Sequence, residues 1–292
     1  MPVSKPASLS FLAARLDLLR RTQNGDGGWG YFTGNKTSWL EPTAYAAMAL
    51  LGEPAADRAW AFLRTLQNAD GGWRPAASIA NSAWGTSLCV TLGLARGDFG
   101  DTTAKGVRWL VDLAGAESKW YPILLAYFFG ERDFSLKAWP WRPGNSAWVE
   151  PTAHALVALK QAESKFDSKA LRGRIKQGEA QLIDVRSKDG GWNYGARTAL
   201  GFELPSYAET TALALLALQD RADVKSGFET AERYLAESPS TLARAWLTIA
   251  RRLHELPAPK PSGEAGRDLM LTAVEALAAP EGNHRIFKTW NS

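Results

Sequence analysis

One short phrase is written three times into this chain, and few folds can hold it. Gln23-Asn-Gly-Asp-Gly-Gly-Trp29 returns as Gln67-Asn-Ala-Asp-Gly-Gly-Trp73 and, more worn, as Arg186-Ser-Lys-Asp-Gly-Gly-Trp192. Each copy ends one helical stretch and precedes another, because paired glycines permit the positive φ of a sharp reversal. Trp139-Pro-Trp141 stands where a further copy would fall and reads as a degenerate one. Self-similarity of this kind decides architecture before any single residue does. In the turns the aspartate is expected to accept backbone N–H groups, and the tryptophan to clamp adjacent helices.

The helices between the turns alternate in character. Residues 8–22 carry Leu9, Leu12, Leu16 and Leu19 at helical spacing, whereas 42–52 are almost wholly apolar or small. The same contrast continues: 55–67 amphipathic, 84–95 apolar, 101–114 amphipathic, 120–130 and 149–159 apolar, 168–185 amphipathic. Beyond them 207–218 is apolar, 226–236 amphipathic, 241–253 mixed and 265–278 amphipathic, with no strand pattern. A helix with no polar face is buried on all sides. Such helices alternating with two-faced ones predict two concentric layers, an all-α, single-domain (α/α)6 toroid over residues 1–292, rather than an open stack.

Composition excludes several classes. A net charge of +4 without a dense basic stripe gives nucleic-acid binding little support. The single Cys89 excludes an internal disulfide framework and suits a reducing compartment. No continuous apolar run opens the chain and none reaches eighteen residues, so a cytoplasmic protein without a transmembrane helix is expected. Neither a local metal-ligand cluster nor a phosphate-cradling glycine loop is present, and no cofactor is implied.

Four inner-helix starts can be superposed: Trp39-Leu-Glu41-Pro-Thr43, Trp84-Gly-Thr86-Ser, Trp148-Val-Glu150-Pro-Thr152 and Tyr207-Ala-Glu209-Thr-Thr211. In a closed barrel their N-termini gather at one mouth, which brings Glu41, Glu150 and Glu209 together beside the aromatics. Tyr45 and His154 follow one turn inside, and Glu150 and His154 share a helix face. Two readings stand. Glutamates near helix N-termini satisfy orphan N–H groups and the macrodipole. Alternatively, the mouth is a proton-donating or cation-holding site, because apolar walls raise a carboxyl's pKa and aromatic faces stabilise positive charge. Under the second reading Glu150, Glu41, Glu209 and His154 are the candidate catalytic residues, and Trp39, Tyr45, Trp84, Trp120, Tyr121, Trp148 and Tyr207 the candidate ligand-binding ones.

These turns, with helices opening Glu-Pro-Thr-Ala or Glu-Thr-Thr-Ala, resemble the prenyltransferase and squalene-oxidase repeats over roughly residues 8–255. Squalene–hopene cyclases, other class II terpene cyclases and protein prenyltransferase β subunits carry such repeats. The resemblance implies a six-plus-six helical barrel around a greasy, aromatic-lined cavity, and an apolar isoprenoid-type partner. It leaves peripheral membrane contact open. Against the cyclase acid motif Asp-x-Asp-Asp-Thr-Ala, the matching stretch Trp148-Val-Glu-Pro-Thr-Ala153 keeps only Glu150 at the proton donor. The resemblance therefore implies either an acid-initiated cyclase or a prenyl-chain binder. A carbohydrate-active toroid, such as a polysaccharide lyase or hydrolase, and a non-catalytic interaction module remain as alternatives.

Overall fold

The computed structural model describes residues 10–118, 124, 133–199 and 202–289. The apolar helix expected over 120–130, with Trp120 and Tyr121, lies outside these residues apart from Leu124. Eleven α-helices are described: α1 (Phe11–Thr22), α2 (Leu40–Ala49), α3 (Pro54–Thr65), α4 (Thr86–Ala95), α5 (Asp101–Asp112), α6 (Val149–Phe166), α7 (Lys169–Asp184), α8 (Ala208–Ala217), α9 (Ser226–Glu237), α10 (Thr241–Leu253) and α11 (Leu269–Ala278). A two-residue antiparallel pair joins 198–199 to 202–203.

Helices α2, α4, α6, α8, α10 and α11 pack in sequence as an inner ring, and α11 closes it against α2. Outside it α1 lies on α11, α3 on α2, α5 on α4 and α6, α7 on α6, and α9 on α8. Ala46, Ala47, Met48, Cys89, Leu213 and Val274 are inaccessible to water, as helices without a polar face require. The structure corrects one assignment. The last helix, read as amphipathic over 265–278, belongs to the inner ring, with nearly every residue of α11 buried. Its one acid, Glu275, misled the pattern: it is buried in an ion pair with Arg15 of α1, N to O 2.8 Å. That contact fastens the first helix to the last.

The repeated turns work alike. The indole Nε1 of Trp29, Trp73, Trp139 and Trp192 donates to the carbonyls of Leu19, Leu63, Leu110 and Leu182, which end the preceding outer helices. Their backbone N–H groups donate to the hydroxyls of Thr43, Thr86, Thr152 and Thr211 on the following inner helices. Asp26, Asp70 and Asp189 each accept from the second turn glycine and from a serine, at 2.7–3.0 Å. The first glycine is obligatory: at Gly27 and Gly71, φ is near +90°, and a Cβ would lie 2.6 and 2.7 Å from the carbonyls of Arg58 and Lys105. At the degenerate copy Arg174 stacks over Trp139 and donates to the Val111, Leu113 and Lys137 carbonyls. One buried guanidinium thus stands in for the missing Asp-Gly-Gly.

Backbone bonds then carry the ring around at its mouth. The N–H of Leu40 reaches Pro75 O, Trp84 reaches Trp141 O, Val149 reaches Tyr194 O, and Leu269 reaches Tyr31 O, at 2.7–2.9 Å. Three first helical residues, Leu40, Val149 and Leu269, and Trp84 two before α4, are therefore held by the residue two beyond a turn tryptophan, and the final bond joins the last helix to the first turn. The opposite end, the floor, is crossed by residues 283–289. Side-chain amides of Asn283, Gln161 and Gln219 fix this segment, and Phe287 is buried within it.

Candidate functional site

The three carboxylates occupy the second helical position of α2, α6 and α8, one residue past Leu40, Val149 and Ala208. The N-cap residues are the aromatics Trp39, Trp148 and Tyr207, so the glutamates do not hold the cap position. Nor does any described backbone N–H donate to them. Proline follows Glu41 and Glu150, which removes the N–H that a capping carboxylate could take. Macrodipole complementation remains, but hydrogen-bond capping does not account for these residues.

What surrounds the carboxylates is burial and one another. All three are partly buried. Burial, then the Glu209 and Glu41 carboxylates, push Glu150 up to about 8. Burial likewise raises Glu209 and Glu41, and a hydrogen bond from the Tyr31 hydroxyl partly offsets it at Glu41. Burial, then the Glu150, Glu41 and Glu209 carboxylates in turn, raises the Tyr45 hydroxyl well above its ordinary value. The convergence follows from the repeat, since equivalent positions on helices running the same way meet at one end.

Below the carboxylates lies a floor of rings. The Tyr45 hydroxyl sits 3.3 Å from His154 Nε2, and Trp84, Tyr45 and Trp246 surround the imidazole at centroid distances of 5.4–6.2 Å. Trp246 in turn packs edge-on against Phe287, at 5.6 Å. Tyr45, His154 and Trp246 are 3, 2 and 3 % exposed, so the axis beneath the carboxylates is filled by side chains. Burial drives His154 down to about 3 and keeps it neutral. Its hydrogen-bond partner is Tyr45, rather than the Glu150 carboxylate or a backbone group.

Above the carboxylates the rings are open to solvent. Trp148 and Tyr207 are 38 and 41 % exposed and are bridged by Tyr194, with centroids 6.2 and 4.8 Å apart. Half-buried Trp39 packs against Tyr31 at 5.8 Å. Trp84 departs from the superposition. Its N–H makes the bond that Leu40 and Val149 make, and Thr86 takes the place of Thr43 and Thr152. This copy is one residue short and has no carboxylate, so Trp84 drops onto His154 and Trp141. Trp120 and Tyr121 lie outside the described residues.

Sequence reasoning missed Tyr31, Trp141, Tyr194, Trp246 and Phe287. The first three were detectable: each stands two residues after a turn tryptophan, at the position that receives the neighbouring helix. Trp246 and Phe287 come from elements without the repeat, and only ring closure brings them to the axis. Among the described residues no group of three or more His, Cys, Asp or Glu is placed to hold a metal ion. Cys89 is buried with its thiol pushed up, which makes it a packing residue.

No protein-family model matches the chain, and no curated protein matches it. Solved structures do. Type II terpene cyclase MstE from Scytonema, in complex with geranylgeranyl dihydroxybenzoate, aligns with a TM-score of 0.55 at 15% identity, over 96% of this chain and 97% of that one. Endoglucanase Cel10 from Klebsiella pneumoniae, a family 8 glycosyl hydrolase, aligns at 0.62 and 14% identity, over 91% and 97%. A family 8 endo-β-1,4-glucanase from an Achatina fulica gut metagenomic library gives 0.60 at 16%, over 95% and 99%. At such identities the likeness concerns the backbone alone. The chain is an α/α toroid, of the fold that type II terpene cyclases and family 8 glycosyl hydrolases share.

Proposed function

We propose that the mouth is a general-acid site in which Glu150, protonated at neutral pH, donates to an oxygen of an isoprenoid-type ligand lying across the exposed aromatic rings. The observation that carries this is a carboxyl with no described hydrogen-bond partner, set between two others above an apolar floor. A carboxyl held near 8 is matched to proton transfer near neutrality. The same shift makes it a weaker acid toward a bare alkene, so an allylic alcohol, ether or epoxide oxygen is the better acceptor. Once the C–O bond breaks, Glu41, oriented by Tyr31, accepts the proton that the resulting carbocation loses from an adjacent carbon. The repeated turns support the isoprenoid class, as does a toroid of this fold with geranylgeranyl dihydroxybenzoate as its substrate.

The filled axis shapes this reading. With Tyr45, His154, Trp246 and Phe287 packed below, the ligand rests on the mouth and does not thread the barrel. That geometry also favours a second reading. Exposed Trp148, Tyr194 and Tyr207 offer faces on which sugar rings stack, and paired carboxylates are the apparatus of glycoside hydrolysis. Native mass spectrometry against geranylgeraniol, squalene epoxide and cello-oligosaccharides separates the two. Retention of the isoprenoids, with turnover lost in Glu150→Gln, is expected. Retention of the sugars alone transfers the acid role to the second reading, and retention of neither overturns both.

A further inference from the structure

The floor end carries a groove remote from the carboxylates. Helix α6 has 18 residues where α4 and α8 have 10, so it extends roughly 12 Å past them at 1.5 Å per residue. Between this extension, the end of α4 and the crossing segment lies a groove of about 590 Å³, lined by Leu94, Phe99, Lys160, Lys165, Arg285 and Thr289 among others. Its volume is that of a small-molecule site.

We propose that this groove binds a small phosphate monoester, with the phosphate on Arg285 and Lys165 and the organic part against Phe99 and Leu94. The cations differ in their commitments. Lys160 is already spent on Glu179 and Asp220, at 2.5 and 2.7 Å. Arg285 is exposed and makes no side-chain hydrogen bond or ion pair among the described residues. Lys165 has no acidic partner among them either, and lies 5.2 Å from the Phe99 ring centroid. Lys165 also complements the carbonyl end of α6, but that does not explain Arg285, which sits in the short 3-10 turn His284–Phe287.

A guanidinium presents a planar fork that matches two phosphate oxygens, and a lysine adds a point charge beside it. Thr289 also borders the groove, its Oγ1 buried with no hydrogen-bond partner among the described residues. Phe99, an aromatic residue 46 % exposed in a short connection, gains a role as the wall for the ester's apolar part. Glu163 is the one acid among the lining residues and sets a limit on the anion's total charge.

Isothermal titration at low ionic strength with phenyl phosphate, inorganic phosphate and benzyl alcohol tests the assignment. Phenyl phosphate is expected to bind more tightly than either fragment and to weaken as salt rises. Arg285→Ala should cost at least tenfold, and Phe99→Ala should weaken phenyl phosphate while leaving inorganic phosphate unchanged. Absence of saturable binding would overturn the proposal. So would an unchanged affinity in the Arg285→Ala/Lys165→Ala double variant, both substitutions lying on exposed side chains that leave the fold intact. No residue is shared with the mouth, so either reading can fail alone.

Discussion

Two residues on the same helices, two positions apart, have opposite fates. Thr43, Thr152 and Thr211 are fully buried, and each accepts a hydrogen bond from a turn tryptophan. Glu41, Glu150 and Glu209, one after each N1 residue, are raised by burial, Glu150 also by the other two, and only Glu41 has a described hydrogen-bond donor. The threonines recur because each copy needs the same peg. Glu150 and Glu209 recur without any described hydrogen bond, whereas Glu41 takes one from Tyr31.

The comparison breaks first at the tryptophans. Each buries about 200 Å², so Trp73→Ala is expected to cost about 3–5 kcal/mol, read from denaturant midpoints. A loss below about 1 kcal/mol would mean that the turns are not the pegs described. The carboxylates should behave in reverse. The folded protein holds the Glu150 proton to about 8, whereas the unfolded chain releases it near the ordinary 4.5. Stability therefore falls as pH rises between these values, by on the order of 5 kcal/mol at full ionisation. Glu150→Gln should flatten that slope and leave the variant more stable than the parent at pH 9.

His154 acts on the acid side. Its folded value near 3 lies below the ordinary 6.5, so its contribution is complete above 6.5 and is lost as pH falls toward 3. Together the two groups place maximal stability between about pH 4.5 and 6.5. Thermal midpoints that rise steadily to pH 9 would contradict the Glu150 assignment. A smaller effect sharpens the contrast. Thr43→Val keeps the peg's shape but strands the Trp29 N–H, at a cost of about 1–3 kcal/mol. Smallest is Tyr31→Phe, which removes the hydrogen bond that holds Glu41 down. The Glu41 carboxyl should then titrate higher, as read by carboxyl NMR, with stability near neutrality falling slightly.

The turns made the architecture legible because they impose geometry on every copy. Asp26, Gly27, Trp29 and Thr43 do in the first copy what Asp70, Gly71, Trp73 and Thr86 do in the second. The meeting of Glu41, Glu150 and Glu209 was legible for the same reason. Departures from the repeat were not. A one-residue deletion before Thr86 moved Trp84 from rim to floor, and apolar patterning does not register a deletion. Glu275 made α11 look two-faced because its partner, Arg15, lies 260 positions away. Trp246 and Phe287 fill the axis from outside the repeat, so the sequence implied a cavity where side chains are packed. Local spacing reveals what each copy shares, while ring closure decides what meets at the centre.

The most direct test is a carboxyl NMR titration of protein labelled at glutamate side chains, with Glu150→Gln assigning the signal. The mouth described above predicts that Glu150 titrates near 8 and shifts when Glu209 is neutralised. A midpoint near 4.5, indifferent to Glu209, would show a solvated carboxylate and remove the acid on which the proposed function rests.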